Sequence, residues 1–370
     1  MREVVELTKE LVRIPSMHSR PEEIARCVDR VVEYLEAAGA SVRRMEHAGV
    51  PSAMALPAET STPVVLMSHV DVVDAPEELF TPVERDGKLF GRGSLDDKYA
   101  VALSLVLFKN RLEKLRSQGR DQSDMPFGVL ITGDEEVGGA NGVRPALKQF
   151  KAGFGLALDG GDVRNIVAKE KGIYRLRLTS KGRTAHGSTP WLGVNAVERL
   201  MDDYRKIQAF FHPSAFGYDP EDHWHRTLNL GAIRAGQSIN QVPDKAVAEL
   251  DIRFTEKDDM PALHREMQAA IAGELTLISK SPMFYAGETP YLDLLRQASP
   301  DSELGVEHGA SDARYLSDHG IPGVVWGVDG DRSFHAPDEH IDLASLETLY
   351  RRLDDFFDRV AAFRDGEAKG

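Results

Sequence analysis

Apolar residues change their spacing along this chain, and the changes divide it. Residues 2–13 and 21–38 repeat apolar positions at helical spacing. In the second stretch Ile24, Val28, Val31, Val32 and Leu35 share one face, with Pro21 at its start and Gly39 just past its end. Short β-rich runs follow: SVRRM from 41, SAMAL from 52 and PVVLMSH from 63. Asp86-Gly87 between two strand-like pieces signals a hairpin. Residues 96–116 predict a helix. FGVLIT from 127 and GFGLALD from 153 predict buried strands, with a short helix between them near 141–150. Strands alternating with helices predict an α/β domain: a mixed, mostly parallel sheet with helices on both faces.

The period then becomes two. GIYRLRLTSKG (172–182) alternates apolar and polar residues, as a half-exposed antiparallel strand does, and so do RTLNLGAIRAG and DKAVAELDIRFTE. Helices fit near 193–211 and 257–273. The expectation is an inserted α+β domain of ferredoxin-like order at 173–285. The first domain is then discontinuous, 1–172 and 286–370, closing with a long helix at 343–363.

A chain of 370 residues exceeds the usual limit of one core, which agrees with two domains. The 45 Lys and Arg against 59 Asp and Glu leave a net charge of −14, which argues against nucleic acid or an anionic membrane as partner. A local basic pocket still admits an anionic small substrate. The single cysteine, Cys27, excludes an internal disulfide and a thiolate metal cluster. The first residues read as an amphipathic helix rather than a signal sequence, and no apolar run spans a membrane, so a cytoplasmic protein is expected.

Several apolar runs end in acids or histidine. VVLMSH leads to His69 and Asp71; LFGRGSLDDK carries Asp96 and Asp97; GVLITGDEE ends at Asp134, Glu135 and Glu136; GFGLALD ends at Asp159; DRSFHAPDEH offers His335. In an open parallel sheet such strand ends converge on one crevice. Bare carboxylates gathered there repel one another, and divalent cations relieve the repulsion. His69 and Asp71, two apart on an extended chain, point the same way, so Asp71 can hold a ligand imidazole.

These motifs, in this order from 69 to 340, resemble the zinc-dependent aminoacylase/deacylase metallopeptidase family, which includes acetylornithine deacetylase, succinyl-diaminopimelate desuccinylase, aminoacylase and glutamate carboxypeptidase. The resemblance implies two Zn2+, with Co2+ or Mn2+ as substitutes. Asp96 would bridge them, His69 and Asp159 completing one site and Glu136 and His335 the other. It implies Asp71 as the orienting partner of His69, Glu135 as general base, and a cis peptide at Asp96–Asp97. His186, in KGRTAHGS, would stabilise the oxyanion, in some relatives across a homodimer formed through the inserted lid domain. Asn240, Arg253 and Arg314 match positions that grip the substrate's carboxylate and carbonyl; arginine's planar fork suits a carboxylate. Junctions near 172 and 287 would be hinges. One departure is His308, where relatives often carry a second glycine before the Ser-Asp of GASDARYL.

Ordinary explanations exist for each residue. Arg253 can be an outward strand charge, Arg314 can pair with Asp312 or Asp318, Asn240 can form a turn and His186 can cap its helix. His223-Trp224-His225 sits in a polar loop, and His340 reads as structural. The chain lacks Gly-x-Ser-x-Gly, and Cys27 falls in a predicted amphipathic helix, so nothing supports a covalent mechanism. The expected activity is hydrolysis, by a metal-activated water, of the amide bond of an N-acyl-amino acid bearing a carboxylate. A dipeptidase or carboxypeptidase of the same family is the alternative, and a non-catalytic zinc-binding homologue is the rival of a different class.

Overall fold

The computed structural model describes residues 1–211 and 224–367. Its contacts separate two units: residues 1–169, 284–307 and 311–370 form the first, and 170–283 with 308–310 the second.

The first unit is built on a nine-stranded mixed sheet. Its path runs Arg43–His47, Val50–Ala55, Phe127–Thr132, Ser61–His69, Lys151–Ala157, Gly323–Val325, Asn165–Glu170, Phe284–Tyr285, with Glu303–Glu307 paired to Asn165–Glu170. The central pairings, from Phe127–Thr132 to Gly323–Val325, are parallel, and the resolved flanking pairs are antiparallel. Alternate residues of Ser61–His69 feed opposite cores. Val64 and Leu66 join a cluster with Leu103, Phe108, Phe356 and Phe357. Val65 and Met67 join a second with Val143, Leu147 and Leu316. Both faces are covered, which is why the central strands read as unbroken apolar runs. Helix Lys98–Ser117 is buried along most of its length. Asp86 and Gly87 form the expected hairpin turn, with φ +52° and +75°, between Val83–Arg85 and Lys88–Phe90.

The second unit is a four-stranded antiparallel sheet ordered Thr227–Ala235, Lys245–Phe254, Gly172–Lys181, Glu274–Ser281. Helices Ala196–Gln208 and Met260–Ala270 share one core with it, through Leu200, Ile207, Leu263 and Met267. The order β-α-β-β-α-β is ferredoxin-like. Its last strand does not stand out in the sequence because only Leu275 of its apolar residues is buried.

Candidate metal and catalytic centre

Strand register brings the acidic residues together. Ser61–His69 lies between Phe127–Thr132 and Lys151–Ala157, with His69 opposite Thr132 and Met67 opposite Ala157. The ladder continues past the strand ends: Val70 N–H donates to Thr132 O at 2.9 Å, and Leu158 N–H to Met67 O at 3.0 Å. His69, the turn at 134–136 and Asp159 therefore leave the sheet together at its carboxyl edge, where open α/β sheets bind ligands. Asp96 precedes helix Lys98–Ser117, and the Asp96–Asp97 peptide is cis. His335 arrives on a loop in which Asp331, Arg332 and His335 all have left-handed φ.

His69 Nε2 lies 3.0 Å from Asp96 Oδ1 and 3.8 Å from Asp159 Oδ2. His335 Nε2 lies 3.0 Å from Asp96 Oδ2 and 3.2 Å from Glu136 Oε2. Within each of the two groups, His69–Asp96–Asp159 and Asp96–Glu136–His335, the candidate ligand atoms lie within 4.8 Å of one another. Asp96 belongs to both and offers one oxygen to each imidazole. His69 Nε2 is buried, and despite its closeness to Asp96 it makes no hydrogen bond. A buried imidazole nitrogen facing several carboxylate oxygens is a donor set that fits a divalent cation.

Electrostatics points the same way. Burial, then the Asp96 charge, pushes the Asp159 carboxyl up to about 8. Burial pushes Asp312 up to about 7, and burial with the neighbouring Asp159 and Asp312 charges raises Glu135 well above the usual range. Burial acts on Asp96 too, but the adjoining His335 and His69 imidazoles outweigh it and hold that carboxyl low. Too many carboxyls share too little positive charge, a deficit that cations fill.

Glu135 lines a cleft with His69, Asp159 and Asp312, backed by Leu130 and Val143. The following turn needs glycine: at Gly139, φ +61°, an added Cβ would fall 2.0 Å from Asp312 Oδ1. Asp312 and Glu339 are site residues that the sequence reading did not single out. Glu339 accepts from the backbone N–H groups of Gly93 (2.8 Å), Leu95 (3.1 Å) and Asp96 (3.2 Å) and from the Arg92 guanidinium, fixing the segment that ends at Asp96. His340, read as structural, lies 3.2 Å from Asp331 Oδ2 and braces the loop that carries His335.

Asp71 departs from expectation in one respect. The Nδ1 of His69 lies 3.0 Å from the main-chain carbonyl of Asp71, and 3.4 Å from its carboxylate. The carboxylate instead accepts from the backbone N–H groups of Glu135 (3.1 Å) and Glu136 (3.0 Å) and lies 2.9 Å from His18 Nε2. Burial opposes its ionisation, yet the hydrogen bond to His18 and the adjoining His69 imidazole hold the carboxyl at about 2. His18 was invisible in the sequence because 53 residues separate it from Asp71.

Arg314 belongs to the first unit and is buried. Its Nη1 donates to Ser311 O at 2.7 Å, and Nη2 lies 3.6 Å from Asp312 Oδ1. The other candidates lie in the second unit. The exposed His186 pairs its Nδ1 with Ser188 Oγ at 2.7 Å. Its segment bridges to Gln241, and Gly187 N–H donates to Asn240 O at 2.6 Å, so His186 and Asn240 sit on adjoining loops. Arg253 Nε donates to Asp251 Oδ1 at 2.6 Å, a partner two residues away on the same strand. The rings of His308 and Trp224 lie 6.2 Å apart. His225 Nδ1 lies 2.9 Å from Arg226 O; His223 falls outside the described residues.

Comparison with known proteins gives the same picture. The family model described as peptidase family M20/M25/M40 matches residues 65–359. Succinyl-diaminopimelate desuccinylase of Rhodospirillum centenum is 28% identical over 387 aligned positions, covering 94% of this chain and 96% of that protein. A tripeptidase from Staphylococcus aureus matches in structure with a TM-score of 0.78 at 22% identity, covering 98% of each chain. A Bacillus subtilis protein described as a dinuclear metal-binding peptidase matches with a TM-score of 0.64 at 14% identity, covering 98% of each chain. Among the described residues no helix is long and apolar enough to cross a membrane.

Proposed function

This chain belongs to peptidase family M20/M25/M40, and on that premise we propose that it is a metal-dependent hydrolase of the amide bond in an N-acyl-amino acid. The observation that carries the reading is the pair of ligand groups joined at Asp96, with Glu135 in the adjoining cleft. Relatedness to a desuccinylase along nearly the whole of both chains favours deacylation. A dipeptidase or carboxypeptidase is the second reading; the likeness to the tripeptidase is one of fold alone.

In this reading His69, Asp96 and Asp159 hold one divalent cation, and Asp96, Glu136 and His335 the other. We assign zinc, with cobalt or manganese as substitutes. Bound there, the cations supply Lewis-acid polarisation of the scissile carbonyl and acidify the attacking water. Glu135 takes the proton from that water and hands it to the leaving nitrogen. Its burial raises its proton affinity, which suits a group that carries a proton between the two events. Asp71, through the backbone N–H groups it accepts, fixes where Glu135 and Glu136 point. His186 stabilises the oxyanion. Arg314, with Asn240 and Arg253, recognises the substrate's carboxylate. The proposal extends to a cytoplasmic homodimer formed through the second unit, which sedimentation of the full chain tests.

The test of the activity is a turnover panel of N-acetyl-, N-succinyl- and aminoacyl-amino acids with added zinc or cobalt. Wild type should cleave an acyl-amino acid, and Glu135→Ala should lose about 10²–10⁴ in kcat while keeping its metal. Wild type inert across the panel contradicts the reading.

A further inference from the structure

Asp71 is fully buried and its carboxylate serves two main-chain N–H groups of the catalytic turn. A buried carboxylate in that post needs a fixed partner beyond them, since backbone amides alone leave its charge uncompensated. The partner comes from the amino-terminal segment between helices Arg2–Val12 and Pro21–Ala37. That segment is laid against the site by several bonds. Ser16 Oγ donates to Val70 O at 2.5 Å, Val72 N–H donates to Ser16 O at 3.0 Å, and Met17 pairs with Val72 in a parallel bridge. The buried Lys98, two residues after Asp96, donates its ammonium to Ile14 O at 2.6 Å. The result sets the His18 imidazole on Asp71 Oδ2, the oxygen that also accepts from Glu136 N–H.

We propose that His18 is a positioning residue of the metal centre, acting through Asp71 on the turn that presents Glu135 and Glu136. The hydrogen bond of His18 runs to Asp71, which is not one of the candidate ligands. Its Nε2–H donates to Asp71, so the carboxylate cannot rotate away from the two backbone N–H groups, and the turn keeps Glu136 aimed at His335 and Asp96. The segment around residue 18 thereby becomes part of the centre, although it lies before the first of the strand-end motifs. Outer partners of this sort commonly change metal affinity or activity by about 10–100-fold when removed.

The inference rests on the proposed metal-dependent hydrolase only for its catalytic consequence; its consequence for ion binding is read without substrate. Full-length wild type, His18→Ala, His18→Gln, Asp71→Asn and the His18→Ala/Asp71→Asn double variant are stripped with chelator and titrated with Co2+ by calorimetry, with thermal unfolding recorded alongside. His18→Ala should weaken Co2+ binding about tenfold. His18→Gln, whose amide still donates to Asp71, should recover to within about threefold of wild type, even where both variants unfold at the same lowered temperature. The double variant should bind no more weakly than Asp71→Asn alone. On a cleaved substrate, His18→Ala should lower kcat and leave KM unchanged. Wild-type Co2+ affinity in His18→Ala overturns the proposal, and so does a Gln variant as defective as the Ala variant, or losses that add in the double variant. Should wild type cleave nothing in the panel while His18→Ala still loses Co2+ affinity, the hydrolase reading fails and the positioning role stands.

Discussion

The two groups of candidate residues are held in opposite ways. In the first unit His69 and Asp71 leave one strand, Asp159 another and Asp96 the turn before a helix, and short distances join them to one another and to the turn at 135–136. They are largely buried, and their geometry is set by sheet register rather than by their own flexibility. In the second unit His186 and Asn240 are exposed, and each finds its side-chain partner within its own loop: Ser188 for His186, Ser238 for Asn240. Arg253 likewise bonds Asp251 on its own strand. Holding two cations requires atoms fixed before the ions arrive, and a covered parallel sheet supplies that. The oxyanion role proposed for His186 would ask for a side chain within reach of a ligand, and an exposed loop suits that.

The contrast breaks first at Asp96. Because it is common to both ligand groups, Asp96→Ala should empty both and abolish activity, whereas loss of a ligand confined to one group leaves the other. Metal analysis of the purified variant checks this; a variant that keeps two ions per chain would remove the shared-ligand idea. Glu135→Ala should cost less, about 10²–10⁴ in kcat with metal content unchanged. His186→Ala should cost about 10²–10³ in kcat, again at full metal content, because its proposed role is confined to the transition state. If that variant loses metal, the two groups are not independent and the comparison fails.

The smallest effect concerns stability in the second unit. Burial alone would raise the Asp251 carboxyl, but its bonds to Arg253 and Arg175 outweigh that and lower it below 3.8. A depressed folded-state value means stability that is fully present above the unfolded value and lost as pH falls through the folded one. Asp251→Asn should therefore be less stable than wild type by under about 1 kcal/mol near neutral pH, with the gap closing below pH 4 in thermal unfolding. A gap that stays constant with pH would mean the pair is not ionic.

What could be read in the sequence follows from the same contrast. His69, Glu135, Glu136 and Asp159 stood out as candidates because each follows an apolar run, and the covered parallel sheet makes those runs continuous; Asp96, which precedes a helix, did so only through its motif. The period-two strands Gly172–Lys181 and Lys245–Phe254 were legible because one of their faces is buried. Gly323–Val325 and His340–Asp342 were not, since three residues carry no period and only pairing with Lys151–Ala157 and Lys88–Phe90 defines them. At the site, Asp71 lies beside His69, its carboxylate 3.4 Å from Nδ1, and spacing suggests that much. It could not tell which atoms of Asp71 would be used, because a carbonyl and a carboxylate on one residue compete for the same imidazole. His18 and Glu339 left no local pattern. Each acts through space on a segment more than 50 residues away.

The central claim is that the two residue groups sharing Asp96 would hold two divalent ions, which supply the Lewis-acid chemistry of the proposed hydrolysis. Its most direct test is elemental analysis of purified, active protein, paired with activity before and after chelation. The account predicts two ions per chain, activity lost with them, and activity restored when zinc or cobalt is returned. Protein that turns over substrate with no bound ion and ignores the chelator would contradict it.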